Sequence, residues 1–245
     1  MELEKEKEKE KEKEKENRDN LKNIVCHKGN MLLDQYVSPE NNIKTYSLNF
    51  TLDKLNPEKV NVKSLLEPSI YELLEKINPD LIEKIAILNI ISECENDVAI
   101  LLKPIAREIG IKQKYILFRT SRTINFYNNT VTFINNDISQ IDKALHQEYL
   151  TYLNIDNNKY EPMIFNYGKT VIAITNLYKN SLKELFYRET QHQHLHQDFS
   201  LDIDFNIDFQ LLIKDSLPIY MENIVGLMFK KLFYNLKQFI NNLNA

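Results

Sequence analysis

The sequence has no tryptophan, only four glycines and only two cysteines among 245 residues, and each scarcity removes a class of function. With so few glycines, neither a P-loop nor a dinucleotide fingerprint can be assembled, since both need several positions where backbone N–H groups approach a phosphate. A GxSxG nucleophile elbow is absent as well. Cys26 and Cys94 form no CxxC pair and no disulfide framework, so they are read as ordinary reduced thiols. No run of about 18 uncharged apolar residues exists, so no transmembrane helix is expected. The first residues lack the apolar segment of a secretory signal. These absences together predict a cytoplasmic protein. A surplus of positive charge is also missing. Lys and Arg total 31 against 35 Asp and Glu, a net charge of −4, which argues against a nucleic-acid partner.

The apolar content is ample. Hydrophobic residues make up 43% of the chain and aromatic residues 10%, enough to bury the core of one α+β domain. Residues Glu2 to Glu16 alternate Glu and Lys with no apolar stripe, and residues 1–20 are read as a disordered tail. Residues 21–42 are read as a linker, and 43–245 as the folded domain.

Within that domain, Lys44 to Leu52 alternates as a strand, with Tyr46, Leu48, Phe50 and Leu52 on one face. Asn56-Pro57 opens a helical stretch that Pro68 divides in two. Ile85 to Glu93, Val98 to Leu102, Lys114 to Phe126, Thr130 to Asn135, Tyr149 to Ile155, Pro162 to Tyr167 and Thr170 to Leu177 read as strands, with Asn96-Asp97 and Asn128-Asn129 as turns. Residues 178–198 read as an insertion holding a short helix through Leu182, Leu185 and Phe186, followed by a Gln/His tract. Phe199 to Ile213 alternates apolar residues with Asp, Asn and Gln, a strand with one wet face. The last segment carries Ile224, Val225, Met228, Leu232, Phe233, Leu236, Phe239, Ile240 and Leu243 at helical spacing, with Lys230, Lys231 and Lys237 largely off the stripe. One long helix against many antiparallel strands predicts a helix-grip fold: a curved antiparallel sheet wrapped around the C-terminal helix.

Three segments carry a more specific pattern. Ile77-Asn78-Pro79-Asp80, leading to Ile85, resembles a helix end and second strand. Gln113-Lys114-Tyr115-Ile116-Leu117-Phe118-Arg119 resembles an Arg-Asp-φ-φ-φ-φ-Arg strand, where φ is mostly apolar. Leu212 to Pro218, with Asn223 five residues past the proline, is similar to an Asp-x-x-Gly-x-Leu-Pro turn and closing helix. In this order, from about Ile43 to Leu243, they resemble the START (StAR-related lipid transfer) family. The resemblance implies a non-enzymatic protein that binds and transfers a lipid in an apolar cavity closed by the C-terminal helix. It implies no cofactor, and partners limited to the lipid (sterol, phospholipid or sphingolipid) and a membrane met transiently. Phe118, Phe133, Ile174, Phe209, Leu211, Ile224, Met228 and Leu232 are the expected lining, and Arg119 the expected contact for a polar head. The alternative is a protein-interaction module on the same fold with no usable cavity.

Other constellations point elsewhere. Arg119 and Arg122, three apart on a strand, take opposite faces. His192, His194 and His196 have the alternate spacing of a metal tract, but their Gln neighbours mark a polar low-complexity loop. Asp198, Asp202, Asp204 and Asp208 lie along one strand face, where an extended run cannot gather oxygens around calcium as a turn does; they are read as a solvated face. No metal site is expected. A helix-grip hydrolase or cyclase would need a polar cavity, for which the sequence offers only His146 near Glu148.

Overall fold

The computed structural model describes residues 22–37, 44–104, 112–175, 182–187, 200–213 and 224–245. The tail at 1–20, most of the 178–198 insertion, including the HxHxH tract and Asp198, and the Leu217-Pro218 turn lie outside the described residues.

Among the described residues, nine strands form one sheet. They are β1 (Lys22–Lys28), β2 (Met31–Val37), β3 (Lys44–Leu55), β4 (Ile82–Ser92), β5 (Glu95–Leu102), β6 (Gln113–Asn125), β7 (Thr130–Asp137), β8 (Tyr160–Thr175) and β9 (Leu201–Ile213). The spatial order is β1-β2-β3-β9-β8-β7-β6-β5-β4. Neighbours in this order run antiparallel, and β9 joins the two halves by pairing with both β3 and β8. Helices α1 (Val62–Leu65) and α2 (Ser69–Ile77) link β3 to β4; α3 (Ile138–Ile141) and α4 (Lys143–Tyr152) link β7 to β8; α5 is Leu182–Tyr187; α6 (Ile224–Asn244) ends the chain. A curved antiparallel sheet with a long closing helix is the architecture expected from the sequence.

The alternation of β9 decides which face is the inside. Leu201, Ile203, Phe205, Ile207 and Phe209 are all buried. Between them, the Asp204 carboxylate accepts a hydrogen bond from the Thr51 hydroxyl at 2.7 Å and Asp202 one from the Lys54 backbone N–H at 2.7 Å. These carboxylates serve the outer face, one bond at a time along an extended strand, and converge on no common point. On the inner face, Leu232, Leu236 and Ile240 of α6 enter the same core as Leu48, Phe50, Leu52 and Phe205.

Several sequence expectations are corrected. Residues 21–42 are no linker throughout: β1 and β2 form a hairpin there and extend the sheet beyond β3. The helix expected after Asn56 starts later. Asn56 organises a turn, accepting from the Glu58 N–H at 2.8 Å, and Asn61 caps α1 by accepting from the Ser64 N–H. Tyr149 to Ile155 is not a strand, because Asp142 caps α4 by accepting from the Ala144 and Leu145 N–H groups, carrying the helix to Tyr152. The two strands expected at 162–177 are one strand, β8, with an irregularity between Phe165 and Tyr167. That extra residue puts both Phe165 and Gly168 on the buried face. Lys230 is buried too, its ammonium against the Cys26 thiol.

The two ends of α6 are held differently. At the C-terminal end, the Asn244 side chain accepts from the Asn56 N–H at 2.7 Å and donates to the Lys54 carbonyl at 3.0 Å, while the Lys59 ammonium donates to the carbonyls of Asn244 and Ala245. Midway, buried Asn78 accepts from the Asn235 amide at 2.8 Å and donates to the Leu74 and Leu232 carbonyls. Near the N-terminal end, Gly226 sits so close to Tyr46 that a Cβ there would lie 2.6 Å from the ring. Gly226→Leu is therefore expected to destabilise the protein by about 1–3 kcal/mol through overpacking. Denaturant unfolding checks this; a loss under a few tenths of a kcal/mol would show that Tyr46 yields freely.

Candidate ligand cavity

Between the inner face and the first half of α6 the side chains do not meet completely. A cavity remains, with about 70 Å³ available to the centres of water-sized molecules. Its walls are Ile100 of β5, Phe118 of β6, Phe133 and Asn135 of β7, Phe165, Thr170 and Ile172 of β8, and Phe205 and Ile207 of β9. Ile70, Tyr71 and Leu74 of α2 close one side, and Phe229, Leu232 and Phe233 of α6 close the top. The surface is overwhelmingly apolar, as a pocket for an apolar ligand requires.

A chain of aromatic rings runs around the cavity from α2 across the sheet to α6. Tyr71 meets Phe118 edge-on at 5.5 Å, Phe118 meets Phe165 at 5.8 Å, Phe165 meets Phe229 at 6.1 Å, and Phe229 stacks on Phe209 at 4.5 Å. Phe165 leans over Gly168, where any Cβ would fall 1.8 Å from the ring edge. The glycine thus makes room for the ring, and the ring takes up space the cavity would otherwise have.

Of the residues expected to line the cavity, Phe118, Phe133 and Leu232 do so. Ile174 and Phe209 are buried in the surrounding core without reaching the wall. Ile224 and Met228 are half-buried and pack on that core beside it. The Leu211 side chain lies outside the described part of the structure.

Arg119 is elsewhere. It faces the outer side of the sheet, where its Nε and Nη2 donate to the two carboxylate oxygens of Asp97 at 2.7 and 3.0 Å. Asp97 is fully buried and also accepts from the Tyr149 hydroxyl at 2.8 Å. Asn96 and Asp97 belong to β5 rather than to a turn, and the β5–β6 register sets Asp97 opposite Arg119. The carboxylate holds the guanidinium in its charged form, raising an already high pKa. This triad joins β5, β6 and α4 above a second apolar cluster containing Ala99, Leu101, Tyr115, Leu117, Ile138 and Leu150. Burial, then the bond to Asp97, pushes the Tyr149 hydroxyl up to about 12. His146 lies against the Tyr115 ring on this side, and Glu148 is exposed, so neither is a cavity residue. Arg122 does take the opposite face. It donates to the Leu66 and Glu93 carbonyls at 3.3 Å and lies over the Phe186 ring, tying the β6 end to α1 and α5.

The sequence did not anticipate most of the wall, including Phe165, Phe205 and Ile207 and the polar pair Tyr71 and Asn135. The Tyr71 hydroxyl is 3.4 Å from Thr120 Oγ1 and 3.3 Å from Asn135 Oδ1. Burial pushes this hydroxyl up to about 12, its two hydrogen-bond partners pulling weakly the other way. Between pH 10 and 12 an unfolded chain gives up the tyrosine proton and the folded chain keeps it. Stability from this group is therefore complete below pH 10 and falls as pH rises, by about 1.4 kcal/mol per pH unit. Denaturant unfolding at pH 8, 10 and 11 should show this loss reduced in Tyr71→Phe; an equal loss in both proteins would contradict it.

No family model matches this chain, and no curated protein sequence matches it. Similarity to solved structures is found in the fold. Human STARD10 superposes with a TM-score of 0.58 at 10% identity, covering 90% of this chain and 73% of that one. Human StAR-related lipid transfer protein 5 gives 0.58 at 10% identity, covering 98% and 93%. The STAR-related lipid transfer protein of Xanthomonas axonopodis gives 0.52 at 11% identity, covering 90% and 99%. The chain therefore has the START-type helix-grip fold that the order of its motifs implied. Among the described residues, no helix is long and apolar enough to cross a membrane.

Proposed function

We propose that the protein binds one lipid molecule in the cavity beneath α6 and carries it between membranes without altering it. The supporting observation is the apolar cavity itself, placed between a curved sheet and a closing helix. Removal of the lipid tail from water drives binding, at roughly 2.5 kcal/mol per 100 Å² of apolar surface buried. The space present accommodates about five waters, so the wall must move to admit a tail. Helix α6 is anchored at its C-terminal end by the Asn244 and Lys59 hydrogen bonds, whereas its first half rests on ring contacts and on two lysine contacts, Lys230 with Cys26 and Lys231 with Asp80, that part when it lifts. Release follows when that first half lifts during transient contact with a membrane. Sterols, phospholipids and sphingolipids are the candidate cargo, and the cytoplasm is the proposed setting.

The small volume favours one competing reading, an interaction module whose aromatic core is already full. Native mass spectrometry separates the two. After incubation with vesicles of phosphatidylcholine, sphingomyelin and cholesterol, a carrier is recovered with one lipid per chain. Recovery of the bare chain mass alone would favour the interaction module.

A further inference from the structure

Two polar side chains of the cavity wall, Tyr71 and Asn135, meet at one corner, with Thr120 beside them. Thr120 and Asn135 are cross-strand partners on β6 and β7, and Asn135 in turn faces Gly168 on β8. Tyr71 reaches down to both from α2. Asn135 lines the cavity and is only 8% exposed. Its one side-chain bond is the contact with the Tyr71 hydroxyl, and its amide N–H groups donate to no described residue. The Tyr71 hydroxyl can donate to Asn135 Oδ1 while accepting from the Thr120 hydroxyl, but contacts of 3.3–3.4 Å are long enough to be exchanged for better ones. A buried amide with unspent capacity needs a partner.

The same corner carries no charge. Lys169 and Asp208 border the cavity but alternate to the outer face, opposite Thr170 and Ile207. Arg119 is neutralised by Asp97 on the outer side. Arg122 does not line the cavity; its terminal nitrogens donate to the Leu66 and Glu93 carbonyls, it lies 3.9 Å from Glu67, and its buried Nε has no hydrogen-bond partner among the described residues. An anionic head placed here would lose its water without gaining a cation.

We propose that Tyr71 and Asn135, with Thr120 supporting the Tyr71 hydroxyl, form a subsite for the uncharged, hydroxyl-bearing head of the lipid, so that the cargo is a neutral lipid with a free hydroxyl. A hydroxyl both donates and accepts, and so meets either orientation of the Asn135 amide. The inference rests on the lipid-carrying reading above.

The test compares three probes of equal chain length, delivered from cyclodextrin to the full chain and read by native mass spectrometry. They are oleyl alcohol, 1-octadecene and oleate at neutral pH. The alcohol is expected to bind about tenfold more tightly than the alkene, the scale of one unmet hydrogen bond, and more tightly than the anion. Asn135→Leu and Tyr71→Phe should each shrink the alcohol's advantage over the alkene to within about threefold. If alcohol and alkene bind alike, or oleate binds best, or both folded variants keep the wild-type preference, the subsite is refuted while lipid carriage stands. If none of the three probes binds, and the protein also stays bare after the mixed vesicles, the carrier reading itself fails.

Discussion

Replacing Asp97 by alanine is expected to cost about 3 kcal/mol of stability, the low end of the range for breaking a buried ion pair by removing one member. Asp97 is fully buried and gives both oxygens to Arg119 and one of them also to Tyr149. Without it, the Tyr149 hydroxyl loses its acceptor. Arg119 loses its bidentate partner and keeps only Glu95, 3.9 Å away at the surface. The cost stays at the low end because 23% of the Arg119 side chain is exposed and can reach water. Paired replacement, Asp97→Leu with Arg119→Met, should cost much less, because no charge is then left uncompensated. Denaturant unfolding of the single and double variants checks both statements. A single-variant loss below about 1 kcal/mol would mean the triad is not the link between α4 and the sheet.

The second large effect concerns function. Leu232→Trp is expected to lower lipid uptake at least tenfold while leaving the fold in place, because Leu232 projects from α6 into the cavity wall and an indole would occupy the small space left. Its stability cost should be about 1–3 kcal/mol, the usual scale of overpacking. Met228→Trp is the matching control. Met228 is half-buried beside the cavity rather than on its wall, so its effect on uptake should be clearly weaker. Uptake from vesicles, with circular dichroism to verify folding, distinguishes the positions. Equal loss in both would place the lipid along a different face of α6.

Some of this molecule is legible in its sequence because local pattern and final environment agree. The alternation from Leu201 to Phe209 is a strand with one buried face, and so it stands in the fold. The apolar stripe through Leu232, Leu236 and Ile240 is the gripping face of α6. Pro68 divides two helices as its missing N–H requires. Other features depend on partners far along the chain. Asn96-Asp97 looks like a turn because an isolated aspartate belongs in water; it lies in a strand because Arg119, 22 residues later, arrives opposite it. Tyr149 to Ile155 looks like a strand by residue type, yet the Asp142 cap and the one-sided burial of Leu145, Tyr149 and Leu150 make it helix. Phe118, Phe133 and Leu232 lie on the cavity wall, whereas Ile174 and Phe209, expected with them from the family resemblance, stop in the core behind it. Asn135 was not readable as lining, because this chain is rich in asparagine and a single one carries little signal. Tyr71 meets it only through the packing of α2 on the sheet. Lys230 was placed with the solvent-facing lysines because helical spacing does not reveal that Cys26 lies against it.

The measurement that bears most directly on the cavity as a lipid site is photo-crosslinking with neutral lipids carrying a diazirine in the tail, one sterol and one diacylglycerol, followed by peptide mapping. The expected result is label, competed by unmodified lipid, on the peptides containing Phe118, Phe133, Phe229 and Leu232. Label confined to the exposed hairpin at Phe126-Tyr127, or no competed label at all, would contradict a lipid held between the sheet and α6.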